Sequence, residues 1–129
     1  MSEQEKALSE MRAAVMKAMG HPTRMYMVSR LASGDVSVGD LAGDIGADVS
    51  TVSKHLSILK QAGLIIDRKE GNRVLYQLIC PCIMEFIHCI DDVIIQDAKK
   101  GISCMLSASG KNNDFTGEQK LPREFNTKE

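Results

Sequence analysis

Two short amphipathic segments joined by a glycine-containing turn constrain the fold of this 129-residue chain most strongly. In residues 38–45, and again after Asp48, apolar side chains recur every three to four positions, which is the period of a helix with one buried face. The turn between them is Gly46-Ala47-Asp48, and either Asp48 or Ser50 can cap the second helix. Gly63 is a candidate to end it. Two short helices joined this tightly predict a helix-turn-helix.

The hydrophobic period changes from helical to strand-like after Gly63. Residues 64–68 and 74–78 are two β runs, and the loop 69–73 between them contains Gly and Asn, so a β-hairpin is expected. Apolar spacing predicts three further helices, at 3–19, 23–31 and 81–106. The predicted fold is therefore mainly α with a small β-hairpin, which is the pattern of a winged helix-turn-helix.

Length and composition favour one folded domain, residues 1–106, followed by a mobile polar tail, residues 107–129. Hydrophobic residues make up 43 % of the chain, which excludes a fully disordered chain, and charged residues at 26 % are evidence against a membrane protein. No run of 18 apolar residues exists, so no membrane partner is expected. The first residues lack the pattern of a signal peptide, so a cytoplasmic location is expected.

Three stretches of the sequence resemble the ArsR/SmtB family of winged-helix repressors. They are His21-Pro22-Thr23-Arg24, the segment from Leu41 to Leu64, and the segment from Arg68 to Tyr76. The resemblance implies a homodimer formed through the N- and C-terminal helices. It also implies that this homodimer binds an inverted repeat in double-stranded DNA, with its two recognition helices in successive major grooves about 34 Å apart. Family members respond to metals, metalloids or thiol-reactive signals.

The residue types around the predicted helix-turn-helix are suited to DNA. Between Lys54 and Arg73 there are five Lys or Arg residues and two acidic residues. Short hydroxyl side chains contact base edges or phosphates, and basic side chains neutralise phosphates. The predicted DNA contacts are Ser50, Thr51, Ser53, Lys54 and His55 on the second helix, and Arg68, Lys69 and Arg73 on the hairpin. The alternatives are that Ser50 only caps the helix, that the charges only solvate a surface, and that His55 packs to orient the helix.

All four cysteines, Cys80, Cys82, Cys89 and Cys104, lie in the last part of the chain, which is not the distribution of a disulfide scaffold. Pro81 is expected in the first turn of a helix, whose positive dipole end favours thiolates at Cys80 and Cys82. Cys82 and Cys89 are seven residues apart, roughly 10 Å along a helix, so they cannot hold one ion within one subunit. Because the resemblance implies paired terminal helices, Cys89 of the second subunit could complete the site. The expected signal is an arsenite-like metalloid, a soft metal ion, an oxidant or a persulfide; the alternative is that Cys89 is an inert apolar side chain.

Other functions have weaker sequence support. Many family members carry cysteines in the short helix before the recognition helix, and residues 37–41 have none here. A zinc-type site is an alternative, because Glu85, His88 and Asp92 share one helical face. A thiol oxidoreductase would need a βαβ context that is missing, so the protein is not expected to be an enzyme. An architectural DNA-binding protein without a sensor is the remaining alternative.

Overall fold

The structure, a computed structural model, describes residues 1–108. Its elements are, in chain order, α1 (Glu3–Met19), α2 (Pro22–Ala32), β1 (Val36–Ser37), α3 (Val38–Ile45), α4 (Val49–Gln61), β2 (Ile65–Glu70), β3 (Arg73–Leu78) and α5 (Ile83–Ala108). They fall into two units, residues 1–81 and a second unit beginning at Cys82, of which α5 is the described part. The predicted tail lies outside the described residues from position 109 onwards, and the predicted end of the last helix at 106 is two residues early.

Helices α1 and α2 begin with side chains that satisfy their first backbone donors. The Ser2 hydroxyl accepts a hydrogen bond from the Glu5 amide at 3.1 Å, and the Ser2 amide donates to the Glu5 carboxylate at 2.9 Å. These hydrogen bonds from Ser2 lower the pKa of Glu5. At the start of α2, Nδ1 of His21 accepts from the Thr23 amide at 3.1 Å, and Pro22 occupies the first turn, where no donor is needed.

The helix-turn-helix is confirmed, and its boundaries follow from caps and glycines. Gly46 ends α3 with a φ of 81°, a left-handed conformation that costs glycine little. Asp48, and not Ser50, is the N-cap of α4. Gly63 follows α4 with a φ of 85°, and the Leu64 amide donates to the Leu59 carbonyl at 3.1 Å, which is the Schellman pattern.

The wing contains three strands and not the predicted two. Its antiparallel order is β1-β3-β2, and β1 pairs Val36 with Tyr76. A two-residue strand is too short to show a period of two in the sequence, so only its pairing with β3 reveals it. The hairpin turn is also tighter than predicted: Gly71 and Asn72 alone join β2 to β3, and only Gly71 has a positive φ, as in a type II′ turn.

The core of the first unit contains apolar side chains from its helices and its sheet. The largest fully buried residues are Met19, Met27, Val28, Leu41, Val52, Leu56, Leu59 and Ile65. Three of them, Val52, Leu56 and Leu59, belong to α4, so packing fixes which face of α4 is turned outward. The packing of the core therefore determines the orientation of α4 about its own axis.

The second unit differs from prediction at its start. Helix α5 begins at Ile83, whereas Pro81 and Cys82 form a turn before it, and the Glu85 amide donates to the Cys82 carbonyl at 3.0 Å. Pro81 therefore precedes the helix and is not in its first turn. No helix in the described part of the chain is long and apolar enough to cross a membrane.

Candidate nucleic-acid interface

Helix α4 presents a polar face to solvent at the positions that the sequence predicted. Ser50, Thr51 and Lys54 are exposed, and Ser53 is half-buried. The same face continues with three exposed residues that were not among the predicted contacts, Ser57, Ile58 and Gln61, and Val49 is also exposed at the start of the helix. Extending the helical period from Ser50 and Lys54 would have found Ser57, Ile58 and Gln61, because residues three and four apart share one face.

The start of α4 carries a small polar cluster centred on Asp48. The Ser50 hydroxyl donates to its carboxylate at 3.0 Å, and the Thr51 amide donates at 3.3 Å. Hydrogen bonds from Thr51 and then from Ser50 lower the pKa of Asp48, which favours its ionised form. Asp48 therefore provides the cap that was an alternative role for Ser50, and the Ser50 hydroxyl is oriented by its hydrogen bond to this carboxylate.

His55 points toward the protein and not toward solvent. It is half-buried; Nδ1 lies 3.1 Å from Nη1 of Arg24 in α2, and its ring centroid is 4.7 Å from that of His21. Burial, and then the positive charges of His21 and Arg24, lower the pKa of His55. This placement corresponds to the alternative interpretation in which His55 orients the recognition helix, and it does not bring His55 to the exposed face with Ser50 and Lys54.

The basic residues of the hairpin are largely paired with carboxylates. Arg68 contacts Asp35 at 2.7 Å and Glu70 at 3.8 Å, and Arg73 contacts Asp40 at 3.0 Å. The hydrogen bond from Arg68 to Asp35 raises the pKa of Arg68. The sequence count of charges between positions 54 and 73 omitted Asp35 and Asp40, because both aspartates lie earlier in the chain. The positive charge at the wing is therefore smaller than that count indicated.

Three lysines lie on α4 and the wing, and the two that were predicted to contact DNA have no ion pair with a described residue. The third, Lys60 on α4, contacts Asp67 at 3.0 Å. Lys54 and Lys69 are exposed and have no ion pair with any described residue. Exposed ion pairs contribute at most about 1 kcal/mol, so phosphates can also compete for the wing arginines. The surface thus combines two exposed lysines with two arginines whose ion pairs are weak enough for a phosphate to replace.

The predicted sensor cysteines are accessible, but the described residues of one chain form no group suited to a metal ion. Cys80, Cys82 and Cys89 are all exposed. Among the described residues, no three His, Cys, Asp or Glu side chains are grouped so that they could hold a metal ion. The alternative set Glu85, His88 and Asp92 is among these described residues.

Comparison with known proteins identifies the family. The family model described as "Bacterial regulatory protein, arsR family" matches residues 21–67. The uncharacterized HTH-type transcriptional regulator Rv0081 of Mycobacterium tuberculosis is 33% identical over 81 residues, covering 62% of this chain and 71% of that protein. The chain belongs to the ArsR family. The transcriptional repressor SdpR of Bacillus subtilis is 35% identical over 74 residues, which cover 57% of this chain and 82% of SdpR.

A solved ArsR-type structure also matches the fold. The homodimeric winged helix-turn-helix domain of Mb0332 from Mycobacterium bovis, described as a possible ArsR-family regulator, superposes with a TM-score of 0.68 at 27% identity, covering 78% of this chain and 93% of that domain. The ArsR family model includes His21, Arg24 and α4 but ends at Asp67. It therefore carries no information about the wing arginines or the cysteines of this ArsR-family regulator.

The carboxylates at the wing lead to a prediction about charge. Asp40→Asn removes a negative charge and releases Arg73, so we expect DNA affinity to rise by up to about fivefold, corresponding to the ~1 kcal/mol of an exposed pair. The measurement is fluorescence anisotropy with labelled duplex. Asp44→Asn is the control, because it breaks a similar exposed pair, with Arg30 at 3.0 Å, that does not involve the wing. An equal increase for both variants would mean that only total charge matters.

Proposed function

We propose that this ArsR-family protein is a homodimeric transcriptional repressor that binds an inverted repeat in double-stranded DNA through α4 and the wing. The observation that carries the proposal is the exposed polar face of α4, where Ser50, Thr51 and Lys54 lie opposite a fully buried apolar face. The N-terminal half of the second helix is the part of a helix-turn-helix that reads base edges in the major groove. Lys69 and the two wing arginines supply contacts to the phosphate backbone.

Exposed apolar side chains support the dimer. On α1, Leu8, Met11 and Met16 are exposed, with Met11 retaining 66% of its accessible surface. On α5, Val93 and Ile94 retain 67% and 60%. Large exposed apolar groups on two helices favour burial against a second copy of the chain. Two copies related by a two-fold axis would place two α4 helices on successive major grooves.

We further propose that the repressor leaves DNA when a thiol-reactive signal reaches Cys80, Cys82 and Cys89. Exposure of all three thiols supports this, since access is the first requirement for reaction. A soft metal ion or an arsenite-like metalloid bound by thiolates from two subunits would release DNA if it binds the DNA-free dimer more tightly than the DNA-bound dimer. A coupling free energy of ~1–3 kcal/mol between the two sites is sufficient.

A selection experiment tests the DNA-binding proposal. The full chain in its reduced form is mixed with a random-sequence library of duplexes, and the sequences of the bound duplexes are determined. Enrichment of an inverted repeat with half-sites about one helical turn apart is expected. Absence of any enriched sequence at moderate salt, together with a salt-dependent affinity equal for all duplexes, would favour the architectural alternative.

The cysteine proposal has its own prediction. The enriched duplex is titrated with the protein in the presence of arsenite, Zn(II), Cd(II), polysulfide or peroxide, and at least one should lower the affinity by about 5–150-fold. Cys80→Ser/Cys82→Ser and Cys89→Ser should each abolish the response while retaining DNA binding, and Cys104→Ser is the matched control. A response to zinc that persists in the double variant would transfer the proposal to Glu85, His88 and Asp92.

A further inference from the structure

Arg24 connects three helices, α1, α2 and the recognition helix α4. Its Nε donates a hydrogen bond to the carbonyl of Ala18, near the end of α1. Its Nη1 lies 3.1 Å from Nδ1 of His55, in the middle of α4. Arg24 itself belongs to the first turn of α2. A single guanidinium therefore ties α4 to both helices that precede the helix-turn-helix.

The Arg24–His55 hydrogen bond exists in only one protonation state of His55. A guanidinium has donors and no acceptor and stays charged at all relevant pH values. Nδ1 of His55 must therefore be the acceptor, which requires that it carry no proton. A protonated imidazole has a hydrogen on both nitrogens and accepts no hydrogen bond. Protonation of His55 would replace the hydrogen bond with a repulsion between two cations.

The surroundings of His55 offer nothing to compensate for that repulsion. Helices α1, α2 and α3 and strand β2 all pack against α4. From these elements and the turn between α1 and α2, the groups whose charge acts on His55 are His21 and Arg24, and both are basic. Nδ1 of His21 is already used as the acceptor for the Thr23 amide. No carboxylate of the described residues forms an ion pair with His55.

From this geometry we infer that His55 is a proton-sensitive positioning residue: neutral His55 holds α4 in its DNA-binding orientation through Arg24, and protonated His55 releases it. The inference rests on the proposed DNA-binding function and adds a response to acid that is independent of the cysteines. It also reverses the usual expectation, because gaining positive charge on acidification normally strengthens binding to DNA.

The direction of the pH effect follows from the lowered pKa of His55. Above the ordinary histidine value of 6.5, His55 is neutral in both the folded and the unfolded chain, and the hydrogen bond is fully present. As the pH falls below that value, the unfolded chain takes up a proton before the folded one, so stability decreases. When the pH passes the lower folded value, His55 protonates in place and the hydrogen bond is lost.

The test uses the enriched duplex and the full reduced chain between pH 7.5 and 5.5 at constant ionic strength. Wild type should lose about tenfold in affinity on acidification, the size expected for a hydrogen bond to a charged group. His55→Asn should bind at an affinity that does not fall on acidification, because the amide oxygen near the position of Nδ1 accepts from Arg24 at every pH. His21→Asn is the matched control: asparagine retains the α2 cap, and the pH dependence should persist.

Two results would overturn the inference. One is an identical pH profile for wild type and His55→Asn, and the other is loss of the pH dependence in His21→Asn alone. A measurement without DNA separates this inference from the proposed function. The midpoint temperature of thermal unfolding should fall more for wild type than for His55→Asn between pH 7.5 and 5.5. If no duplex is bound at any pH while this difference in unfolding is found, the proposed function fails and the protonation of His55 stands. If the two proteins unfold alike, the protonation mechanism fails.

Discussion

Replacing Lys54 and Lys69 together with alanine is expected to weaken DNA binding by about 100-fold at low salt, since each charged contact contributes ~1.5 kcal/mol or more. Both lysines are exposed and have no ion pair with a described residue, so a phosphate meets no internal competitor for them. The slope of log affinity against log salt should decrease by about two units, one for each lost phosphate contact. Anisotropy titrations at several salt concentrations measure both quantities.

The control for this pair is Lys6→Ala with Lys17→Ala. These two lysines lie on α1 and are exposed, and replacing them changes the net charge by the same amount as replacing Lys54 and Lys69. Their replacement should leave the salt slope unchanged. If the two double variants reduce the slope equally, the effect is one of total charge, and the α4 and wing surface is not the DNA-binding surface.

Leu56→Ala is expected to lower the free energy of unfolding by about 2–5 kcal/mol. Leu56 retains 1% of its accessible surface and lies in the row of α4 that faces the core. Truncation would leave a cavity at the point where α4 packs, because neighbouring side chains only partly collapse into such a space. Chemical denaturation monitored by circular dichroism measures the change.

Ile58→Ala is the matched control on the same helix. Ile58 is 40% exposed and faces outward with Lys54, so its truncation should cost less than about 1 kcal/mol. It should nevertheless change which duplexes are enriched, since an outward apolar group can contact the methyl group of thymine. Comparable destabilisation by both substitutions would mean that α4 is rotated relative to the orientation described.

Local sequence patterns predicted the helices and the two hairpin strands of the first unit, but not β1. The spacing of Val52, Leu56 and Leu59 predicted both the existence of α4 and its buried face, because a helical period of 3.6 residues is visible over a few turns. Gly46 and Gly63 predicted the ends of α3 and α4, because their positive φ angles are costly for other residues. Strand β1 was missed because two residues are too few for any period to appear.

The charges of the wing show what a local pattern leaves out. Arg68 and Asp35 are 33 residues apart in sequence, as are Arg73 and Asp40, and their ion pairs form only because the sheet brings β2 and β3 close to the segment around β1. Counting charges within one segment cannot include partners that come from another segment. The positive surface predicted from the sequence was for this reason too large, although Lys54 and Lys69 are exposed, as a contact with DNA requires.

The sequence by itself determined the helix-turn-helix and the hairpin of the wing, because the hydrophobic periods that predict them depend on neighbours within a few residues. The ArsR type followed from the resemblance of three stretches of the sequence to that family. Only the tertiary structure decided which predicted contact residues face outward and which are paired internally. His55 is the clearest case, because its hydrogen bond to Arg24 spans 31 residues of sequence. A side chain between the buried and exposed faces of a helix takes its direction from the element packed beside it, and here that element is α2.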